Sequence, residues 1–144
     1  MERTTTSPDE VIAGMPDEIR ADVTALDRLI QDVMRGHERV LWEGVFWGGS
    51  RQRIIGYGRH RSVRRSGPAV EWFIVGLARQ KAYLSLYVNA TEGGAYIVKR
   101  YAARLGKVKV GSANVTFKRV ADIDLDVMRE MVERARNLSG DPQM

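Results

Sequence analysis

Residues 70–88 read VEWFIVGLARQKAYLSLYV, and the fold turns on how that run divides. Val70–Ala78 is almost wholly apolar, with Trp72, Phe73, Ile74, Val75 and Leu77. A run this short and this apolar predicts a central strand buried on both faces. Arg79-Gln80 makes a tight connection, and Lys81–Val88 then alternates. Ala82, Leu84, Leu86 and Val88 fall inward, and Lys81, Tyr83, Ser85 and Tyr87 outward. Strands joined by so short a turn pair antiparallel. Upstream, Arg53–His60 also has a period of two. Ile54, Gly56 and Gly58 share one face, and Arg53, Ile55, Tyr57 and Arg59 share the other, which is read as outward.

Helices flank this strand region. Ser7-Pro8-Asp9-Glu10 has the form of a capping box with proline at the first helical position. Pro16 interrupts that short helix and starts a second one. Ile19, Val23, Leu26, Leu29, Ile30 and Val33 form its stripe, and Gly36 ends it. Residues 37–50, rich in aromatics and glycine, read as a connecting segment. Arg61–Gly67 reads as a basic turn closed by Ser66-Gly67-Pro68, and Glu92-Gly93-Gly94 as a loop. Tyr96–Leu105 has helical spacing with Gly106 as its stop, and Ala113–Lys118 alternates as a strand. Asp124 caps a last helix carrying Leu125, Met128, Val132, Ala135 and Leu138.

The expected fold is therefore α+β. It has two layers, an antiparallel sheet with helices packed on one face, and an opposite face at least partly open. Residues 1–15 form a short helix and tail, 16–138 a single domain, and 139–144 a frayed end.

The chain has 144 residues, no cysteine, and only two histidines, His37 and His60. Disulfides, thiolate metal centres, cysteine nucleophiles and multi-histidine sites are excluded. No apolar run reaches the ~18 residues of a membrane span. No leader-like apolar stretch follows Met1–Thr6, so a cytoplasmic protein is expected. Charge is divided along the chain. Residues 36–119 hold sixteen basic and four acidic side chains, whereas residues 1–35 hold four and eight. Such asymmetry points to a polyanion-binding surface, or to acidic helices neutralising a basic sheet.

The run Ile55-Gly-Tyr-Gly-Arg-His-Arg61, with Glu71-Trp-Phe-Ile-Val-Gly-Leu77 and Arg79-Gln-Lys-Ala-Tyr-Leu-Ser-Leu-Tyr87, resembles the YdhG-like domain family. Leu105-Gly106-Lys107 and the segment Asn114–Leu125 extend the resemblance, which covers about residues 16–136. It implies a frataxin-like fold with helices against one antiparallel sheet. Most of the family is uncharacterised, and at least one member has been proposed as an intracellular iron chaperone. The resemblance carries no catalytic residues.

If iron is handled as in frataxin-like proteins, surface carboxylates are the ligands, since hard oxygens suit ferric iron. Asp17, Glu18 and Asp22 on the second helix are the candidates, and iron the implied cargo. The alternative ligand surface is the outward sheet face. Arg53, Tyr57, Arg59, Lys81, Tyr83 and Tyr87 would interleave cations with aromatics there, as on single-strand nucleic-acid binders. That face suits a polyanion or a protein partner, including a second copy of the chain. Lys107, Lys109 and the Gly111-Ser112 amides can also hold an anion. Trp42, Trp47 and Trp72 are expected in the core or an interface.

Other motif fragments fail on spacing. Gly56-Tyr-Gly58 lacks the third glycine of a dinucleotide loop, and Gly106-Lys107 lacks a phosphate-loop frame. Asp122-x-Asp124-x-Asp126 has Val127 where a calcium loop needs glycine. His60 lies in a basic run, where neighbouring charge should lower its pKa. No acid–base pair stands out, and a non-enzymatic binding protein is the expected class.

Overall fold

The computed structural model describes residues 2–45, 51–62 and 70–140. Two short strand residues open the chain (β1, Glu2–Arg3), followed by α1 (Pro8–Ala13) and α2 (Asp17–Val33). Strands β2 (Arg39–Val45) and β3 (Arg51–Tyr57) come next, then β4 (His60–Ser62), β5 (Val70–Trp72), β6 (Val75–Arg79) and β7 (Leu84–Val88). A small hairpin, β8 (Thr91–Glu92) and β9 (Ala95–Tyr96), leads into α3 (Val98–Leu105). β10 (Lys109–Val110), β11 (Asn114–Phe117) and α4 (Leu125–Ser139) complete the order.

The main sheet has seven strands in the order β1-β2-β3-β6-β7-β11-β10, and every pairing is antiparallel. The helices pack on one face, which gives the expected two-layer α+β architecture. Local chemistry fixes the helix ends. The Ser7 hydroxyl accepts the Asp9 N–H at 3.2 Å, with Pro8 at the first helical position. The Asp124 carboxylate accepts the N–H groups of Asp126 and Val127 at 2.9 and 3.2 Å.

Leu26, Ile30 and Val23 of α2 and Met128, Met131 and Val132 of α4 meet Leu41, Ile55, Leu77, Leu84, Leu86 and Val115 of the sheet. Each such side chain, withdrawn from water, stabilises the fold by about 1.5–3 kcal/mol. A second cluster lies on the opposite face: Trp42, Ile54, Phe73, Ala78 and Tyr87, with Trp72 against it.

Several expectations need correction. The segment read as a connector contains β2, which pairs with β3 over seven residues from Arg39↔Tyr57 to Val45↔Arg51. Its Val40-Leu41-Trp42 run hides the alternation because both faces are covered: Leu41 faces the helices and Trp42 the second cluster. Glu2–Arg3, read as tail, pairs with β2. The apolar run 70–78 is divided between β5 and β6, and β5 pairs with β4 outside the main sheet. Lys81 and Ala82 precede β7 and are exposed. Phe46, Trp47, Gly48–Ser50, residues 63–69, where most of the expected basic turn falls, and residues 141–144 lie outside the described residues.

The largest correction concerns facing. Ile55 and Tyr57 point toward the helices, and Tyr57 is 1% exposed. The glycines face the other way because only hydrogen fits there. A Cβ on Gly56 would stand 2.6 Å from Trp42 Nε1, and one on Gly76 2.4 Å from Phe73 Cε1. The Trp42 and Phe73 rings occupy the space those side chains would have filled.

Candidate functional site

The two ends of the sheet differ in chemistry. At the β2–β3 end, charge is buried and paired. Asp27, from α2, is 4% exposed and accepts four hydrogen bonds. The Tyr57 hydroxyl donates to it at 2.6 Å, Arg39 Nε and Nη2 at 3.0 and 2.9 Å, and Gln31 Nε2 at 2.7 Å. Burial and the Asp27 charge push the Tyr57 hydroxyl pKa well above its usual 10.0, so it stays a donor. Arg39 reaches Asp9 as well, at 2.9 Å. Glu38 takes both Arg3 and Arg59, and Glu43 takes Arg53 at 3.0 Å.

The β10–β11 end is built differently. The Gly111 N–H donates to the Asn114 carbonyl at 2.7 Å and closes a turn over Ser112-Ala113. That turn sets the registers Lys109↔Thr116 and, on the far side of β11, Thr116↔Ser85. Lys118, one residue beyond β11, comes together there with Lys107 and Tyr83, which precede β10 and β7. All five residues other than Ser85 line a single open hollow of ≈ 940 Å³, with Asn114 beside them. Within β10 and β11 the alternation puts Lys109, Asn114 and Thr116 on the sheet face away from the helices, since Val115 and Phe117 point into the helix-side core.

Among the described residues, every ion pair uses an arginine, and none of the five lysines is in one. Three of those lysines line the hollow. Like charges gathered around one hollow repel. Asp122 lies on the rim, and its carboxylate accepts the Arg119 N–H at 3.2 Å. The Tyr83 ring is 45% exposed. Three cations against one carboxylate, beside an open aromatic ring, can receive an anion and a flat group together.

The sequence-predicted candidates are dispersed. Of the outward set, Tyr83 lines the hollow and Lys81 is exposed two residues before it. Tyr87 is on the same face but only 9% exposed, with its hydroxyl 3.4 Å from Gln52 Oε1. Burial raises its pKa. Arg53 and Arg59 belong to the paired end, on Glu43 and Glu38. Tyr57 is sealed under the helices and is no part of an accessible surface. Lys107 and Lys109 do come together, and Lys118, one residue past β11, joins them. The signal for that addition is the Gly111-Ser112-Ala113-Asn114 turn, which folds β11 back against β10.

The carboxylates proposed for iron have arginine partners. Asp22 is 5% exposed and accepts Arg119 Nε at 2.7 Å and the Val120 N–H at 3.1 Å. The Arg119 guanidinium holds its pKa below the usual carboxylate range. Glu18 lies 3.5 Å from the same guanidinium, and Asp17 is 2.6 Å from Arg20. Among the described residues, no three carboxylate or imidazole groups converge as a metal site. His60 has its pKa lowered, as expected, but the cause is burial rather than neighbouring cations.

No helix among the described residues is long and apolar enough to cross a membrane. Comparison with protein-family models, curated proteins and solved structures finds no match for this chain.

Proposed function

We propose that the protein is a non-enzymatic, cytoplasmic binding module that takes polyanionic ligands in the hollow beside β10 and β11. One observation carries this reading. Lys107, Lys109 and Lys118 meet around the hollow without an ion pair, while Arg3, Arg39, Arg53 and Arg59 at the β2–β3 end are matched to carboxylates. The fold gains nothing from holding like charges together, so a ligand is the natural counter-charge.

Binding of inorganic polyphosphate, followed by calorimetry at a series of salt concentrations, tests the reading. The wild type should bind, with affinity falling linearly on a logarithmic salt scale as counterions are released. Replacing Lys107, Lys109 and Lys118 together by glutamine should abolish binding and leave the melting temperature near wild type. A triple variant that binds as well as wild type would sink the proposal.

Kinship with YdhG-like domains is supported by the quoted sequence stretches and accords with the two-layer α+β fold. The iron reading that kinship brings stands second. It would have to recruit Asp17, Glu18 and Asp22 away from Arg20 and Arg119.

A further inference from the structure

We infer that the polyanion taken by the hollow is single-stranded nucleic acid, with phosphates on Lys107, Lys109 and Lys118 and a base stacked on Tyr83. The inference rests on the polyanion reading above and sharpens it.

Lysines alone would suit any polyanion. What distinguishes this hollow is the ring. Tyr83 is 45% exposed and lines the hollow together with Lys118. Its neighbours Thr116 and Asn114 are hydrogen-bonding groups on the same face. A stacked base gains from the ring whatever its identity, and the polar pair can meet base edges or sugar hydroxyls. Lys107, Lys109 and Lys118 around one hollow can meet more than one phosphate of a strand whose base lies on the ring.

An acidic peptide fits less well. Peptides that add to a sheet need a length of free edge, and the edge strand here, β10, has two residues. It would find the lysines but make little of Tyr83. The volume, ≈ 940 Å³, also exceeds what a lone phosphate fills.

The test uses the full chain and a fluorescent oligothymidylate of about twelve nucleotides, read by anisotropy. Inorganic polyphosphate, polyglutamate and a blunt duplex serve as competitors. The expected result is that the oligonucleotide binds more tightly than polyphosphate of matched charge. Tyr83→Ala should weaken the oligonucleotide about tenfold and leave polyphosphate binding unchanged, while Tyr83→Phe retains wild-type affinity. Tyr83 is exposed, so these variants should melt with the wild type. If the oligonucleotide and polyphosphate bind alike and Tyr83→Ala alters neither, the nucleic-acid inference falls and the polyanion reading survives. If polyglutamate or the duplex competes as well as the unlabelled oligonucleotide, single-strand selectivity is likewise overturned. If nothing binds, both readings fall together.

Discussion

The sheet has a closed end and an open end, made from the same strand geometry. At the closed end, β2, β3 and β6 are covered on both faces. Helix α2 seals one face over Asp27, Tyr57 and Arg39, and Trp42 and Phe73 seal the other over Gly56 and Gly76. At the open end, β11 buries Val115 and Phe117 on the helix side only, β10 is exposed, and lysines line the hollow beside them. The two ends use different cations. Arg39, with a planar fork that holds Asp27 through two bonds, satisfies charge inside the fold. Lys107, Lys109 and Lys118 make no ion pair among the described residues.

The largest expected effect is at the closed end. Asp27→Ala would strand the Tyr57 hydroxyl and most of the Arg39 guanidinium beneath α2. Removing one partner of a buried pair leaves the other uncompensated, and the loss should be about 3 kcal/mol. Urea unfolding monitored by tryptophan fluorescence measures it. A loss below about 1 kcal/mol would show that water replaces Asp27, and the contrast between the two ends would fail.

The opposite face of the same end gives the next effect. Gly76→Ala drives a methyl group to 2.4 Å from a Phe73 ring carbon, which must move. Overpacking of this kind should cost about 2 kcal/mol, and Phe73 contacts Trp42 and Trp72, so the tryptophan emission should shift too. An unchanged midpoint and spectrum would mean that the ring cluster is loosely held.

A smaller effect tests the pairing rule away from the sheet's closed end. Asp22 is held by Arg119 and the Val120 N–H, with its pKa depressed. A carboxylate whose folded pKa is lowered adds stability above its unfolded value of about 3.8, lost as pH falls through the folded value. Asp22→Asn should therefore lose about 1 kcal/mol at neutral pH and show a shallower acid limb below pH ~4. Parallel acid limbs in variant and wild type would remove Asp22 from the linkage.

Much of the closed end was legible in the sequence, but not its facing. The helices of 17–33 and 125–139 follow from their stripes and caps, and the alternation of 84–88 and 114–117 is clean. The period of 53–57 was equally plain, yet period alone does not say which face is inward. Arg53 and Arg59 drew Tyr57 outward in the reading. Tyr57 goes inward because Asp27 waits there for its hydroxyl, a partner thirty residues upstream that no local pattern reveals. β2 was hidden for a related reason: a strand covered on both faces loses its alternation. At the open end, Lys107 and Lys109 were visible as an anion candidate. Lys118 joins them only through the register that the Gly111–Asn114 turn fixes.

The smallest expected effect is the most informative about the open end. If lysines there were structural in the way Arg39 is, replacing them would cost the fold what Asp27→Ala costs. If they are held for a ligand, the fold should be indifferent to them. The triple variant Lys107→Gln, Lys109→Gln, Lys118→Gln removes three like charges that are in no ion pair among the described residues, leaving Asp122 as the hollow's carboxylate. Its unfolding free energy should stay within about 0.5 kcal/mol of wild type, with any change upward. Salt gives the sign independently. Screening relieves repulsion, so added salt should raise the wild-type melting temperature slightly more than that of the variant. A variant that loses about 2 kcal/mol, or a wild type that salt destabilises relative to it, would mean that the lysines hold the hairpin in place. The open end would then be a second closed end whose partners lie elsewhere.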